Sequence, residues 1–289
     1  MKPARSPLPP RLRAFALSGV AVGLAQLALF GGSAQAVTVD KMLYLSTDVS
    51  GSISSTDYNT QRLGWSNAFL KPSIKSYIAA SPNGIAVAVG QWATAAFAPT
   101  STSPYDLPQA IAWTHLTNAA SVNSFAAQLA TMARQGTGTG NTCVSCGLNA
   151  AVASIQNAIS TGLFDAPTKI IDISSDGIDN VTNVAAVQTA RNNAASQGIH
   201  INALAIEGLA GTNVTDYYNN NVITPKPDAF VKTVTGIGEF EAAATIKLER
   251  EVIGAPGPLP VFGAMAAFGW AGRLRKRVSL AKRNLPVMA

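Results

Sequence analysis

The chain has 289 residues, 47% hydrophobic and 12% charged, a balance that excludes a disordered or polyelectrolyte protein. Its formal charge of +6 says little about partners, because ten of the 21 cations lie in the first 13 and last 17 residues. Residues 37–272 hold the other cations and all 15 carboxylates, net −4, which speaks against a nucleic-acid surface.

In chain order, Lys2, Arg5, Arg11 and Arg13 precede an apolar stretch over residues 14–30, then Gly31-Gly32-Ser33 and the small-residue pattern Ala34-Gln35-Ala36. This reads as a secretory signal peptide over residues 1–36, with an N-terminal membrane anchor as the alternative. Residues 42–47 form an apolar run closed by Asp48 and Gly51, which predicts a buried parallel strand. A helix follows, capped by Ser54 or Ser55, with Tyr58, Leu63, Trp65, Phe69, Ile74 and Ile78 on its apolar side, and Pro72 must kink or end it. Residues 85–92 read as a second strand and 110–113 as a third, 122–133 as a helix, 146–159 as another helix, and 169–174 as a strand. A helix over 184–195, strands over 200–206 and 230–234, and a helix over 240–250 complete the pattern. Alternating strands and helices predict a three-layer α/β/α domain with a parallel sheet covered on both faces. No internal repeat or linker interrupts residues 37–252.

Open α/β sheets gather their functional groups beyond the strand C-termini. There the first strand runs into Asp48-Val49-Ser50-Gly51-Ser52, a later strand into Ser174-Ser175-Asp176-Gly177, and a loop carries Gly140-Asn141-Thr142. Two carboxylates and three hydroxyls make a hard-oxygen set suited to Mg²⁺ or Mn²⁺. Any one of these segments alone would read as a helix cap or a turn, but together they are a site.

Asp48-x-Ser50-x-Ser52, Thr142 and Asp176 resemble the metal-ion-dependent adhesion site of a von Willebrand factor type A domain. The resemblance implies a doubly wound, mainly parallel six-stranded sheet. It also implies that Ser50 and Ser52 bind the cation directly, Thr142 directly or through water, and Asp48 and Asp176 mostly through water. One position would be left for a carboxylate from a partner. A narrower resemblance, over about residues 41–251, is to a secreted bacterial subgroup known as domain of unknown function 1194. It is carried by Ile171-Asp172-Ile173-Ser174-Ser175-Asp176-Gly177, residues 198–206, Asp216-Tyr217-Tyr218 and Ala229-Phe230-Val231.

Cys143 and Cys146 are the only cysteines. A zinc site would need two further ligands, which His115 and His200 are not spaced to supply, and a thioredoxin-like centre would follow the first strand. In an exported protein the simplest state is a disulfide, expected here to stiffen the Thr142 loop. The two histidines read as structural, and Tyr217 and Tyr218 as part of a capped loop. Asn180-Val181-Thr182 and Asn213-Val214-Thr215 fit the glycosylation pattern, which matters only in a host that uses it.

At the C-terminus, Ala255-Pro256-Gly257-Pro258-Leu259-Pro260 leads into an apolar run over residues 261–272 and the cluster Arg273, Arg275, Lys276 and Arg277. Residues 253–289 resemble the PEP-CTERM class of bacterial sorting tails, which implies recognition by an exosortase and delivery to the cell surface or matrix. A plain tail anchor is the alternative. The expected function is a metal-dependent binding module for an acidic group of a protein or polysaccharide. A metal-assisted hydrolase using Asp48 and Asp176, or a structural coat component, are the alternatives. The absence of a G-x-S-x-G elbow, a Walker loop or a histidine near the strand ends favours binding.

Overall fold

The computed structural model describes residues 36–94, 110–135, 140–208 and 213–254. The signal-peptide reading, except for Ala36, and all six sorting-tail residues (Pro256, Pro258, Arg273, Arg275, Lys276 and Arg277) lie outside them.

The chain opens with β1 (Val37–Thr38), then β2 (Lys41–Asp48), α1 (Ser55–Phe69), α2 (Pro72–Ala80), β3 (Ile85–Trp92), β4 (Ile111–Leu116), α3 (Ala119–Thr131) and α4 (Val144–Ser160). It continues through β5 (Phe164–Asp165), β6 (Thr168–Ser175), α5 (Val184–Ser196), β7 (Ile199–Ile206), α6 (Val214–Asn221), β8 (Val231–Val234), a 3₁₀ turn (Ile237–Glu239) and α7 (Phe240–Val252). The main sheet has six strands in the order β4-β3-β2-β6-β7-β8. Every pairing is parallel except β3 with β4, which is antiparallel. A two-residue parallel ladder joins β1 to β5 and has no counterpart in the sequence reading.

Alternation along each strand divides the core. Leu43, Leu45, Val87, Val89 and Leu204 face a layer formed by α1, α2, α3 and α7. Met42, Tyr44, Ala86, Ala88, Ile171, Ile173 and Ala203 face α4, α5 and α6. Two apolar faces need two helical covers, and the three-layer α/β/α architecture follows.

Local chemistry sets the boundaries. Ser54 caps α1 in a reciprocal box with Asp57, and Asn118 does the same for α3 with Ser121. Pro72 ends the first helical run as expected by starting a second one at its first position, where a missing N–H costs nothing. On α4, Gly147 lies against Trp92, and a Cβ there would come within 2.8 Å of the indole ring. Glycine at this place lets the helix close on the sheet. Tyr217 and Tyr218 lie in α6, not in a loop, and Tyr218 is fully buried. Asn213 is the side-chain cap of that helix, accepting from Asp216 N at 2.9 Å, so its amide already has a structural task. Among the described residues no helix is long and apolar enough to cross a membrane.

Candidate metal centre

β2 is central, flanked by β3 and β6, and Asp48 pairs with Trp92 while Thr47 pairs with Ser174. From the tops of these strands the chain departs to opposite faces, into α1 after β2 and into α5 after β6. Such a switch point leaves a crevice that backbone cannot fill, and the five residues expected to bind metal converge there.

Asp48 ends β2 and is fully buried. Its Oδ1 accepts from Ser50 N at 2.7 Å, folding the following turn, and its Oδ2 accepts from Ser175 Oγ at 2.6 Å. Ser50 Oγ lies 3.3 Å from Ser52 Oγ and 3.1 Å from Thr142 Oγ1. Ser52 Oγ donates to Asp176 Oδ1 at 2.6 Å. Three chain segments thus form one hydrogen-bonded cluster. Gly177 makes room for it, since a Cβ there would stand 3.2 Å from Thr142 Oγ1.

Whether a cation fits can be judged from the donor set. The carboxylates of Asp48 and Asp176 are buried without an ammonium or guanidinium partner among the described residues, and Asp176 Oδ2 has no hydrogen-bond partner. Burial, opposed by the Ser175 hydroxyl and reinforced by Asp176, pushes the Asp48 carboxyl up to about 7. Burial also raises Asp176, against the hydrogen bond from Ser52. Two desolvated carboxyl groups above their ordinary range are what a cation would relieve. Among the described residues no three of His, Cys, Asp and Glu come together to hold an ion, so any cation here must be held with hydroxyls. Ser50, Ser52 and Thr142 are such hydroxyls, and a hard, oxygen-seeking divalent ion fits the set.

Other residues build the cradle, and the sequence reading missed them. Arg134 Nη2 donates to the carbonyls of Val49 and Ser50, both at 2.9 Å, fixing the Ser50 turn from below. Asp179 Oδ2 accepts from Ser145 N and Ser145 Oγ, at 3.0 and 3.1 Å, and Asn180 N donates to Thr142 O at 3.0 Å. Burial, opposed by the Ser175 hydroxyl and reinforced by Asp48, holds the Tyr218 phenol of α6 well above its ordinary value. Ser175 had a signal, being next to Asp176 at a strand end. Arg134 had none, because its partners are backbone carbonyls.

A disulfide joins Cys143 and Cys146, with Cα atoms 5.2 Å apart, directly after Thr142. The histidines are elsewhere: His115 pairs with Ala86 and His200 with Ile170, near the starts of β3 and β6, at the far end of the sheet from Asp48. His115 Nε2 is 2.8 Å from Asn83 O, a structural contact as expected.

The structure is similar to that of proximal thread matrix protein 1 from the mussel byssus, at 14% identity and a TM-score of 0.52, over 76% of this chain and 48% of that one. A form of the mussel protein with a zinc-occupied MIDAS motif is similar over 76% of this chain and 49% of that one, at 15% identity and a TM-score of 0.50. This chain therefore spans about half the length of the mussel protein it matches. The likeness shows the fold alone, a mainly parallel sheet covered by helices on both faces. No curated protein matches the chain. Over residues 38–256, nearly the whole of the described fold, the sequence matches the family described as "Protein of unknown function (DUF1194)", and the chain belongs to that family.

Proposed function

We propose that this protein is an exported, metal-dependent binding module that captures an acidic group of a partner at the tops of β2 and β6. The observation that carries the reading is the convergence of Asp48, Ser50, Ser52, Thr142 and Asp176 into one cluster whose two buried carboxyl groups form no ion pair among the described residues. Ser50, Ser52 and Thr142 would supply neutral oxygens to Mg²⁺ or Mn²⁺, with Asp48 and Asp176 behind them. A cation held by neutral ligands keeps enough charge to take a carboxylate from outside. Ser175 and Arg134 do the positioning, one holding the Asp48 carboxyl and the other the Ser50 turn. The MIDAS motif of the structurally similar mussel protein supports the same reading. Neither histidine lies at this end of the sheet to serve as an acid or base, which supports binding over hydrolysis.

The terminal segments extend the proposal. Signal peptidase would remove residues 1–36, and an exosortase would act at the tail bearing Pro256 and Pro258, leaving the domain at a bacterial surface or in its matrix. The test is calorimetric titration of Mg²⁺ and Mn²⁺ into the full chain with acetate present, beside Asp48→Ala. Binding in the parent that disappears in the variant is expected. No heat in the parent at millimolar metal would remove the reading.

A further inference from the structure

Beside the metal cluster, the N-terminal half of α1 and the segment that leaves α3 border an open cavity of about 360 Å³, lined by residues that include Ser55, Tyr58, Asn59, Arg62, Met132 and Arg134. It adjoins the cluster through the Arg134 guanidinium, whose Nη2 is hydrogen-bonded to the carbonyl of Ser50. Two features set it apart. The first is its unbalanced charge: in a domain with more carboxylates than cations, neither Arg62 nor Arg134 forms an ion pair among the described residues. Arg62 Nε donates to Asn59 Oδ1 at 2.9 Å, which orients the guanidinium without neutralising it. Arg134 sits over the Tyr58 ring, 6.0 Å from its centroid, and its buried Nε has no hydrogen-bond partner. The nearest carboxylate in sequence, Asp57, is engaged by Ser54 N and Oγ.

The second feature is the lining. Tyr58, Met132 and Ala133 give it a small apolar side, and the rest of the lining offers hydroxyls, an amide and guanidinium groups, so polar surface predominates. Guanidinium groups bind carboxylates in a fork, and small hydroxyl and amide side chains suit the many hydroxyls of a sugar.

Building on the function proposed above, we infer that this cavity is a second anion subsite, and that the ligand is an acidic polysaccharide whose successive uronate units occupy the metal and the Arg62–Arg134 cavity together. The metal takes one carboxylate and Arg62 the next, so affinity rests on spacing as well as charge. Linking two such contacts multiplies them, whereas a single uronate gains only the first.

The experiment compares trigalacturonate with monomeric glucuronate by calorimetry in Mg²⁺, on the full-length chain and its Arg62→Glu variant, with Mg²⁺ alone titrated in parallel. Arg62 is partly exposed on a helix surface, and Arg62→Gln gives the same readout if the reversed charge disturbs folding. The trimer is expected to bind the parent at least about tenfold more tightly than the monomer, and the variant to lose about that factor for the trimer alone. Its affinities for Mg²⁺ and for glucuronate should stay within about twofold. Equal trimer affinity in parent and variant, or a trimer no tighter than the monomer in the parent, would overturn the subsite. So would Arg62-dependent binding of tri-aspartate in place of trigalacturonate, which would make the ligand a peptide. If the parent takes no Mg²⁺ yet binds the trimer through Arg62 in chelator, the metal reading falls and the subsite stands.

Discussion

At the residue scale, Asp179 is the most consequential side chain outside the cluster. Helix α4 starts at Val144 with Cys143 before it, and Cys143 offers no side-chain cap. Asp179 supplies one from another loop, Oδ2 taking Ser145 N and Oγ while Oδ1 accepts from Val181 N and Thr182 N at 3.0 and 2.7 Å. One carboxylate thus ties the loop after β6 to the loop carrying Thr142, at a helix N-terminus where negative charge is favoured. Asp179→Ala should cost about 1–2 kcal/mol, the usual loss for a helix cap, read from the denaturation midpoint. It should also weaken Mg²⁺ binding, since Thr142 loses its brace. The disulfide acts at the same place with a different balance. It closes so short a loop that it can add only about 2 kcal/mol to stability at most. The Cys143→Ser, Cys146→Ser double variant should therefore melt only slightly lower while its Mg²⁺ affinity falls more visibly. Unchanged affinity would confine the bridge to stability.

At the element scale, the junction of β6 with α7 is held by charge inside the core. Asp172 on β6 and Lys247 and Glu251 on α7 are all buried, with Lys247 Nζ 2.8 Å from Asp172 Oδ2 and bonded to Glu251 as well. Asn202 of β7 donates to Glu251 Oε1 at 2.8 Å and accepts from Phe230 N, carrying the network to β8. Lys41 Nζ donates to the last carbonyls of α7, at Glu251 and Val252. Burial first, and the adjacent Glu251 next, raise the Asp172 carboxyl well above its ordinary value, with Lys247 opposing. A carboxyl raised in the folded state holds a proton that the unfolded chain releases, so its contribution is present at low pH and lost as pH climbs through the folded value. Lys247→Met leaves two buried carboxyl groups without their cation and should cost about 3–5 kcal/mol. The deficit should widen from pH 5 to pH 8 in denaturant unfolding, and adding Asp172→Asn should recover part of it. None of this was visible in the sequence. Lys247 and Glu251 sit in or just beyond a helix read only by its span, and Asp172 entered only as part of a strand sequence, with nothing in the spacing of the three to bring them together. The strands themselves were legible because continuous apolar runs between turn residues can bury both faces. The metal cluster was legible because two of its segments, at Asp48 and at Asp176, lie where parallel strands end, while Thr142, in the loop before α4, was tied to them by the family resemblance. Helix α6 was not, since its eight residues are mostly polar and its buried anchors, Val214 and Tyr218, are too few to set a period.

At the scale of the whole molecule, the sheet has two chemically different ends. Its C-terminal edge carries carboxyl groups with no ion-pair partner among the described residues, and at its N-terminal edge Lys41 bonds to the last carbonyls of α7, which carries Lys247 and Arg250. Beside α7 the charges are paired within the chain, Lys247 with Asp172 and Glu251 and Arg250 stacking on the Phe230 ring at 3.8 Å, while the C-terminal edge is the one that an outside ion would complete. A ligand that binds only the folded state stabilises it by mass action, about 2.7 kcal/mol at a hundredfold excess over Kd. For a domain of this size that is on the order of 5–10 °C in melting temperature, at about 2–4 °C per kcal/mol. Mg²⁺ or Mn²⁺ should therefore raise the melting temperature of the parent, chelator should reverse the rise, and Asp176→Ala should melt at the same temperature with either. Because the cluster joins β2, the Thr142 loop and the loop after β6, the gain should be cooperative across the domain. Hydrogen exchange should slow in α1 and α4 together when metal is added. Protection confined to residues 48–52 would mean that the ion only orders its own turn, and a melt indifferent to metal and chelator would leave the cluster as a hydrogen-bonded lock between three loops.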